Sequence, residues 1–329
     1  MTAIAPTIQA FFTDHLVAQR RLSPNTVRAY RDTWKLLLQH ISDNTDTPVC
    51  RITIEQVDHD QVAGFLAWLE TSRGNSITTR NARLAAIHAW ASYTARTLPE
   101  HVADLARVAA IPVKKHPHPD LTWLTDTETQ ALLDAITTRT WTGRRDRALL
   151  TLAAHTGLRL SELASLTITD LQLTTPAHVA CLGKGRKRRV TPITTPLADL
   201  LATYLQERST RPGQALFPGP AGHAMSSDAI SHRLAVHLAT ATTRCPTLAG
   251  KHVTMHTLRH TAAMRFLHAG IDTSVIALWL GHEQIATTGI YLHADLTIKQ
   301  QALDRTRPPE VPAGRYQPDD ALLAWLNNL

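Results

Sequence analysis

The stretch His178-Val-Ala-Cys-Leu-Gly-Lys-Gly-Arg-Lys-Arg-Arg-Val-Thr-Pro-Ile193 is where the helical pattern of this chain breaks. His178 to Leu182 reads as a short strand, Gly183-Lys184-Gly185 as a tight turn, and the basic run into Val190-Thr-Pro-Ile193 as the returning strand. On the C-terminal side the chain reverts to helical spacing at Leu197 to Arg208, Asp228 to Thr240, Met255 to His268, Thr273 to Leu280, and around Ile285 to Leu296. On the N-terminal side Thr125-Asp-Thr-Glu128 is a capping-box pattern opening a helix through Leu132, Leu133 and Ile136. Another helix runs from about Arg145 to His155, with Gly157 as its stop.

Further out, Ile111 to Asp120 packs three prolines and two lysines into ten residues, which prevents a helix and suits a linker. Everything before it reads as a helical bundle, with no strand pattern before residue 110. Ser23-Pro24 marks one helix start, after which Val27, Tyr30, Trp34, Leu38 and Ile41 form an apolar stripe. Arg28, Arg31 and Lys35 occupy the other faces, either as a solvated basic surface or to meet phosphates. Asp58 caps a second helix ending near Gly74, and Ser76 caps a third. The expected fold is therefore mainly α with a small β-hairpin or sheet. It consists of a helical bundle over 1–110, a linker over 111–122, an α+β domain over 123–307 and a tail over 308–329.

A length of 329 residues with 43% hydrophobic content is ample for two cores. Thirty-four Lys and Arg against 27 Asp and Glu give a formal charge of +7, which favours an anionic partner such as nucleic acid. Proteins of ribosomes or membrane surfaces share that balance. The three cysteines, Cys50, Cys181 and Cys245, are too scattered for a disulfide framework or a Cys-rich zinc site. With no leader pattern at Met1 to Phe12 and no run approaching ~18 apolar residues, a cytoplasmic protein without a membrane span is expected.

Four segments of the second domain carry chemistry: Thr156-Gly-Leu-Arg159-Leu-Ser-Glu162, Gly183-Lys184-Gly185 with its basic run, His256-Thr-Leu-Arg259-His260, and Gly281-His282 followed nine positions on by Tyr291. Each alone is unspecific. In that order and proportion they resemble the tyrosine recombinase (phage integrase) family, most like its compact Xer-type bacterial members. The first third plus linker resembles the family's core-binding, DNA-clamping domain. The resemblance implies a site-specific DNA recombinase whose catalytic residues are Arg159, Lys184, His256, Arg259, His282 and Tyr291.

The residue types suit that chemistry. Cleaving a phosphodiester without losing its energy to water calls for a covalent intermediate, which a tyrosine phenol can form. By resemblance, Tyr291 attaches to the 3′-phosphate and frees a 5′-hydroxyl. The transition state gathers charge on its non-bridging oxygens, and the guanidiniums of Arg159 and Arg259 suit a bidentate clamp on them. Lys184, by resemblance, is the general acid for the leaving oxygen, and the neighbouring Arg186, Lys187, Arg188 and Arg189 add charge beside DNA. His256 lies one turn before Arg259 and is placed to assist proton removal from Tyr291. His282 would donate to a phosphate oxygen. Glu162 either orients Arg159 or is an ordinary surface carboxylate, and His260, His268 and His293 belong to the structural background. Neither a metal nor an organic cofactor is expected. The GKG turn is not a nucleotide-binding loop, because His178 and Gly185 stand where that motif needs glycine and Ser or Thr.

Two other functions compete. A metallohydrolase could use His256, His260 and His282, but a zincin would carry Glu at 257, where Thr257 stands. A catalytically silent, site-specific DNA-binding protein would retain the fold without the covalent step. A type IB topoisomerase uses similar groups, but the compact N-terminal bundle and the GKG hairpin favour the recombinase. The resemblance further implies double-stranded DNA as partner and a homo-oligomer on DNA, tetrameric in the synapse, with room for a second recombinase or an accessory protein. In the tail, Asp319 and Asp320 followed by Leu322, Leu323, Trp325, Leu326 and Leu329 read as a docking helix over 318–329, either in cis on the parent domain or in trans on a neighbouring subunit.

Overall fold

The computed structural model describes residues 2–115, 121–183, 188–208, 214–281, 288 and 291. The chain divides into two compact units, Met1–Pro119 and Asp120–Leu329. Both are mostly helical, and the second adds a small antiparallel sheet. Among the described residues, no helix is long and apolar enough to cross a membrane.

In the first unit, α1 (Ile4–Ala10) runs on into a π-helical stretch, Phe11–Gln19. Helix α2 (Pro24–Thr45) starts where the Ser23 hydroxyl accepts the Thr26 N–H, and Pro24 sits in the first turn, where a missing N–H costs nothing. Asp58 and Ser76 cap α3 (His59–Thr71) and α4 (Ile77–Thr97) in the same way, and α5 (Val102–Ala109) follows. The apolar stripe of α2 buries Trp34, Leu37 and Ile41, while Val27, Tyr30 and Leu38 pack around the edge of that core. Trp34 meets Trp90 of α4 edge to face, with ring centroids 4.8 Å apart. Arg28, Arg31 and Lys35 lie exposed, and Arg31 pairs with Asp32 at 2.7 Å.

In the second unit, α6 (Asp126–Asp134) opens on the Thr125/Glu128 capping box. Helix α7 (Trp141–Thr156) starts four residues before the expected Arg145, because the Thr140 hydroxyl accepts the Gly143 N–H. A side chain at Gly143 would put its Cβ 1.7 Å from the Thr137 carbonyl oxygen, so only glycine fits that turn. Gly157 ends α7 at φ +65°. After α8 (Leu160–Ser165) come β1 (Leu171–Gln172), β2 (His178–Leu182) and β3 (Arg188–Pro192), paired antiparallel in the order β1-β2-β3. The two-residue β1 is too short to leave a sequence pattern. Helices α9 (Thr195–Arg208), α10 (Ser227–Thr242), α11 (Met255–His268) and α12 (Thr273–Leu280) complete the unit. Of the helix expected around Ile285 to Leu296 only residues 288 and 291 are described, both helical, and the tail lies outside the described residues.

One buried polar knot ties α7 to α10. Asp146, 1% exposed, accepts from Arg145, Arg233 and His237. Burial pushes this carboxyl upward, but the hydrogen bonds from His237, Arg145 and Arg233 win and hold it below the usual carboxylate range.

Candidate active site

Two helix C-termini supply the anchor points of the site. The last carbonyls of a helix lack partners within it and carry the negative end of its dipole, so they attract cations. Arg259, on α11 and 2% exposed, donates from Nη1 to the Gly157 carbonyl at the end of α7 (2.7 Å) and from Nη2 to the Leu280 carbonyl at the end of α12 (2.6 Å). Arg159, at the start of α8, donates to the Gly281 carbonyl at 3.0 Å. Both glycines have positive φ, and a Cβ at Gly157 would meet the Leu280 side chain at 2.8 Å. The fold thus brings both guanidiniums to one place.

Glu162 fixes Arg159 from the other side. Its carboxylate accepts the Arg159 backbone N–H (2.7 Å) and Nη1 (3.1 Å), and it also accepts Nη2 of Arg189 (2.6 Å). At 2% exposure it is no surface carboxylate. Arg189 requires a correction: expected beside DNA, it turns inward and also donates to the Trp279 carbonyl at 2.9 Å and toward the Cys181 sulfur. The cause is register. Arg189 pairs with Cys181 and Thr191 with Val179, so Arg189 and Thr191 share the inward face while Arg188 and Val190 point outward. Glu162→Ala would leave Arg189 without its carboxylate in a largely buried place. It is expected to lower unfolding free energy by about 3–5 kcal/mol in urea titration. A loss below about 1 kcal/mol, the range of exposed pairs, would contradict the buried role.

Arg159, Arg259 and His256 line one open cleft of about 480 Å³, together with Ser161, Ser227 and Ser231. The first turns of α10 and α11 border it, and both present the positive end of a helix dipole. Such a cleft suits a phosphate group. Desolvation, helped by Arg259 and Arg159, pushes the His256 imidazole below its ordinary value, which favours the neutral, proton-accepting form. Burial and the neighbouring Arg159 and Arg189 lower Arg259 to about 10, still charged at neutral pH.

Tyr291 lies next to this cleft's helix but not in the cleft. It is 1% exposed, packed with Ala263, Met264, Leu267, Ile276 and Leu280, and its hydroxyl is 3.1 Å from Nδ1 of His260. Burial pushes the phenol upward against the pull of Arg259 and Arg159. His260 is the residue that sequence reasoning missed. Its ring also meets His256, one turn earlier on α11, with centroids 4.2 Å apart. The i, i+4 spacing of the two histidines was the available signal. Lys184, Arg186, Lys187 and His282 lie outside the described residues, and Arg188 is exposed. Among the described residues, no group of three or more His, Cys, Asp or Glu is placed to hold a metal.

Comparison with known proteins gives matches along the chain. Residues 122–297 match the phage integrase family, and residues 9–97 match the phage integrase N-terminal SAM-like domain. The Sinorhizobium fredii protein y4rC, named as an integrase/recombinase, is 43% identical over 99% of this chain and 98% of its own length. The tyrosine recombinase XerC of Chlamydia muridarum is 31% identical over 90% of this chain and 96% of its own. Among solved structures, the transposon Tn1549 integrase in complex with transposon right-end DNA superposes with a TM-score of 0.70 at 18% identity, covering 93% of this chain and 99% of that one. The XerH recombinase bound to difH in a post-cleavage complex gives 0.68 at 21% identity, covering 87% and 81%.

Proposed function

This chain belongs to the phage integrase family, the tyrosine recombinases, and we propose that Tyr291 is the residue through which it cleaves and rejoins DNA. It is a site-specific DNA recombinase, an enzyme of strand cleavage and transesterification. The observation that carries the assignment of roles is the convergence of Arg159, Arg259 and His256 on one cleft, with Tyr291 held against the same helix. In this reading the two guanidiniums clamp the non-bridging oxygens of the scissile phosphate. Tyr291 attacks the phosphorus, the 5′-oxygen leaves with a proton from Lys184, and His256 receives the phenolic proton. A 5′-hydroxyl then reverses the step on the new strand. His282 adds a donor to the phosphate.

The test is a covalent protein–DNA adduct that survives denaturation, sought on DNA flanking the gene, where short inverted repeats around a central spacer would mark the target. A silent DNA-binding protein would release its DNA. The adduct is expected to form in EDTA, whereas a strict divalent-metal requirement would favour the metallohydrolase. In the described structure, His260, a ligand in that alternative, is engaged with Tyr291.

Residues 1–110 we assign to clamping duplex DNA, with Arg28, Arg31 and Lys35 as phosphate contacts, joined by the basic run Arg186, Lys187 and Arg188. Affinity is then expected to fall steeply with salt. Replacing Lys187 and Arg188 with Ala should weaken binding to all sequences alike and reduce the log–log salt slope by about 2. A loss confined to the specific site would contradict this.

A tetrameric synapse, with or without a second recombinase or accessory protein, requires coupling between subunits. The apolar face of 318–329 suits that task. A cavity of about 790 Å³, whose lining includes Trp123, Leu197, Met264, Phe266 and Trp279 together with the charged Asp126 and Arg265, offers apolar area for such a face to cover. Deleting 318–329 should leave a folded protein that binds one site but loses cooperative binding to paired sites and strand exchange. Undiminished recombination would refute trans docking.

A further inference from the structure

We infer that His260 is a positioning residue that holds the Tyr291 hydroxyl withdrawn in the DNA-free protein, so that cleavage requires the hydrogen bond between them to break. The inference rests on Tyr291 being the nucleophile. At 1% exposure, the side chain cannot be met by a DNA phosphate in this arrangement, whereas attack needs a near-contact of about 3–3.5 Å. What holds the hydroxyl is a residue of α11 set one turn deeper than His256. His256 lines the phosphate-binding cleft, and His260 is absent from its lining.

The 3.1 Å contact has a consistent chemistry. In the tautomer protonated on Nε2, the phenol O–H donates a hydrogen bond to the Nδ1 lone pair. The His260 ring is itself buttressed. It meets His256 edge on at 4.2 Å and the Tyr291 ring at 5.6 Å, so the three rings form a row running from the cleft to the buried phenol. Two opposing influences act on Tyr291. The guanidiniums of Arg259 and Arg159 favour its phenolate, burial opposes them, and burial prevails. A phenol kept hydrogen-bonded and desolvated is a poor nucleophile until it leaves this pocket. The row therefore couples what happens at His256, on the DNA side, to the release of Tyr291.

The experiment uses the full-length protein with three variants: His260→Phe, which keeps the ring and removes the acceptor, His260→Asn, whose carboxamide restores an acceptor near the place of Nδ1, and Tyr291→Phe. Two readouts are taken. One is the rate at which tetranitromethane nitrates Tyr291 without DNA, read in the tryptic peptide spanning 266–299, where it is the sole tyrosine. The other is the rate of covalent adduct formation on a nicked duplex at saturating protein. His260→Phe should raise both about 5-fold, the worth of one net hydrogen bond, with DNA affinity unchanged, and His260→Asn should return both toward wild type. The inference is overturned if either rate is unchanged or falls in His260→Phe, or if His260→Asn fails to restore them. Binding and unfolding curves for each variant separate these outcomes from misfolding. If Tyr291→Phe still forms an adduct, the nucleophile assignment itself has failed. If it forms none while His260→Phe behaves as wild type, only the inference about His260 has failed.

Discussion

Tyr291→Phe binds duplex DNA as tightly as the wild type and forms no covalent adduct: that is the largest effect expected of any single substitution in this chain. The change removes one oxygen and keeps the ring among Ala263, Met264, Leu267, Ile276 and Leu280, so the surrounding core retains its packing. Loss of the bond to His260 costs about 1 kcal/mol of stability. Loss of adduct is complete because no other described tyrosine can substitute. Tyr204 donates its hydroxyl to the Leu216 carbonyl inside the core, where burial drives its ionisation far upward. Tyr30 and Tyr93 pack into the core of the other unit. A gel assay for denaturation-resistant complexes checks this, and residual adduct in the mutant would refute the role of Tyr291.

Arg259→Lys is expected to slow cleavage by about 10² to 10³ while leaving one-site DNA binding within a few-fold. The lysine keeps a positive charge, so a role that depended on charge alone would survive. The guanidinium does more. It is held in a fixed plane by the carbonyls of Gly157 and Leu280 at 2.7 and 2.6 Å, and a planar fork can engage two phosphate oxygens where an ammonium offers a point charge. The lysine cannot reproduce both carbonyl bonds, so some loss of stability accompanies the change. Single-turnover cleavage at a temperature where both proteins are folded isolates the chemical effect. A rate within about 3-fold of wild type would contradict the clamp.

Much of the fold was legible because its punctuation is local. Ser23, Asp58, Ser76 and Thr125 each cap the helix they were expected to cap, and Gly157 ends α7, because a side-chain oxygen or a glycine acts on backbone only a few residues away. The start of α7 was misjudged, since the Gly143 requirement comes from the Thr137 carbonyl in the preceding turn. The site divided along the same line. Arg159, His256, Arg259 and Tyr291 could be named from motif order. What each touches depends on elements far apart in sequence, such as Gly281 for Arg159. Arg189 was misread because four consecutive basic residues give no clue to which face the sheet register turns inward, and only the buried Glu162 explains why an arginine belongs there. His260 was passed over because its i, i+4 spacing from His256 says only that the two share a helix face, and its significance comes from Tyr291 arriving beside it from 31 residues away.

The central claim is that Tyr291 carries the DNA, and its most direct test is to identify the attachment point. The adduct formed on a nicked duplex is denatured, digested with trypsin and nuclease, and the nucleotide-bearing peptide sequenced by mass spectrometry. The account predicts the peptide spanning 266–299 with a 3′-phosphate ester on Tyr291. A nucleotide mapped to Tyr30, Tyr93, Tyr204 or Tyr316, or linked through its 5′-phosphate, would contradict it.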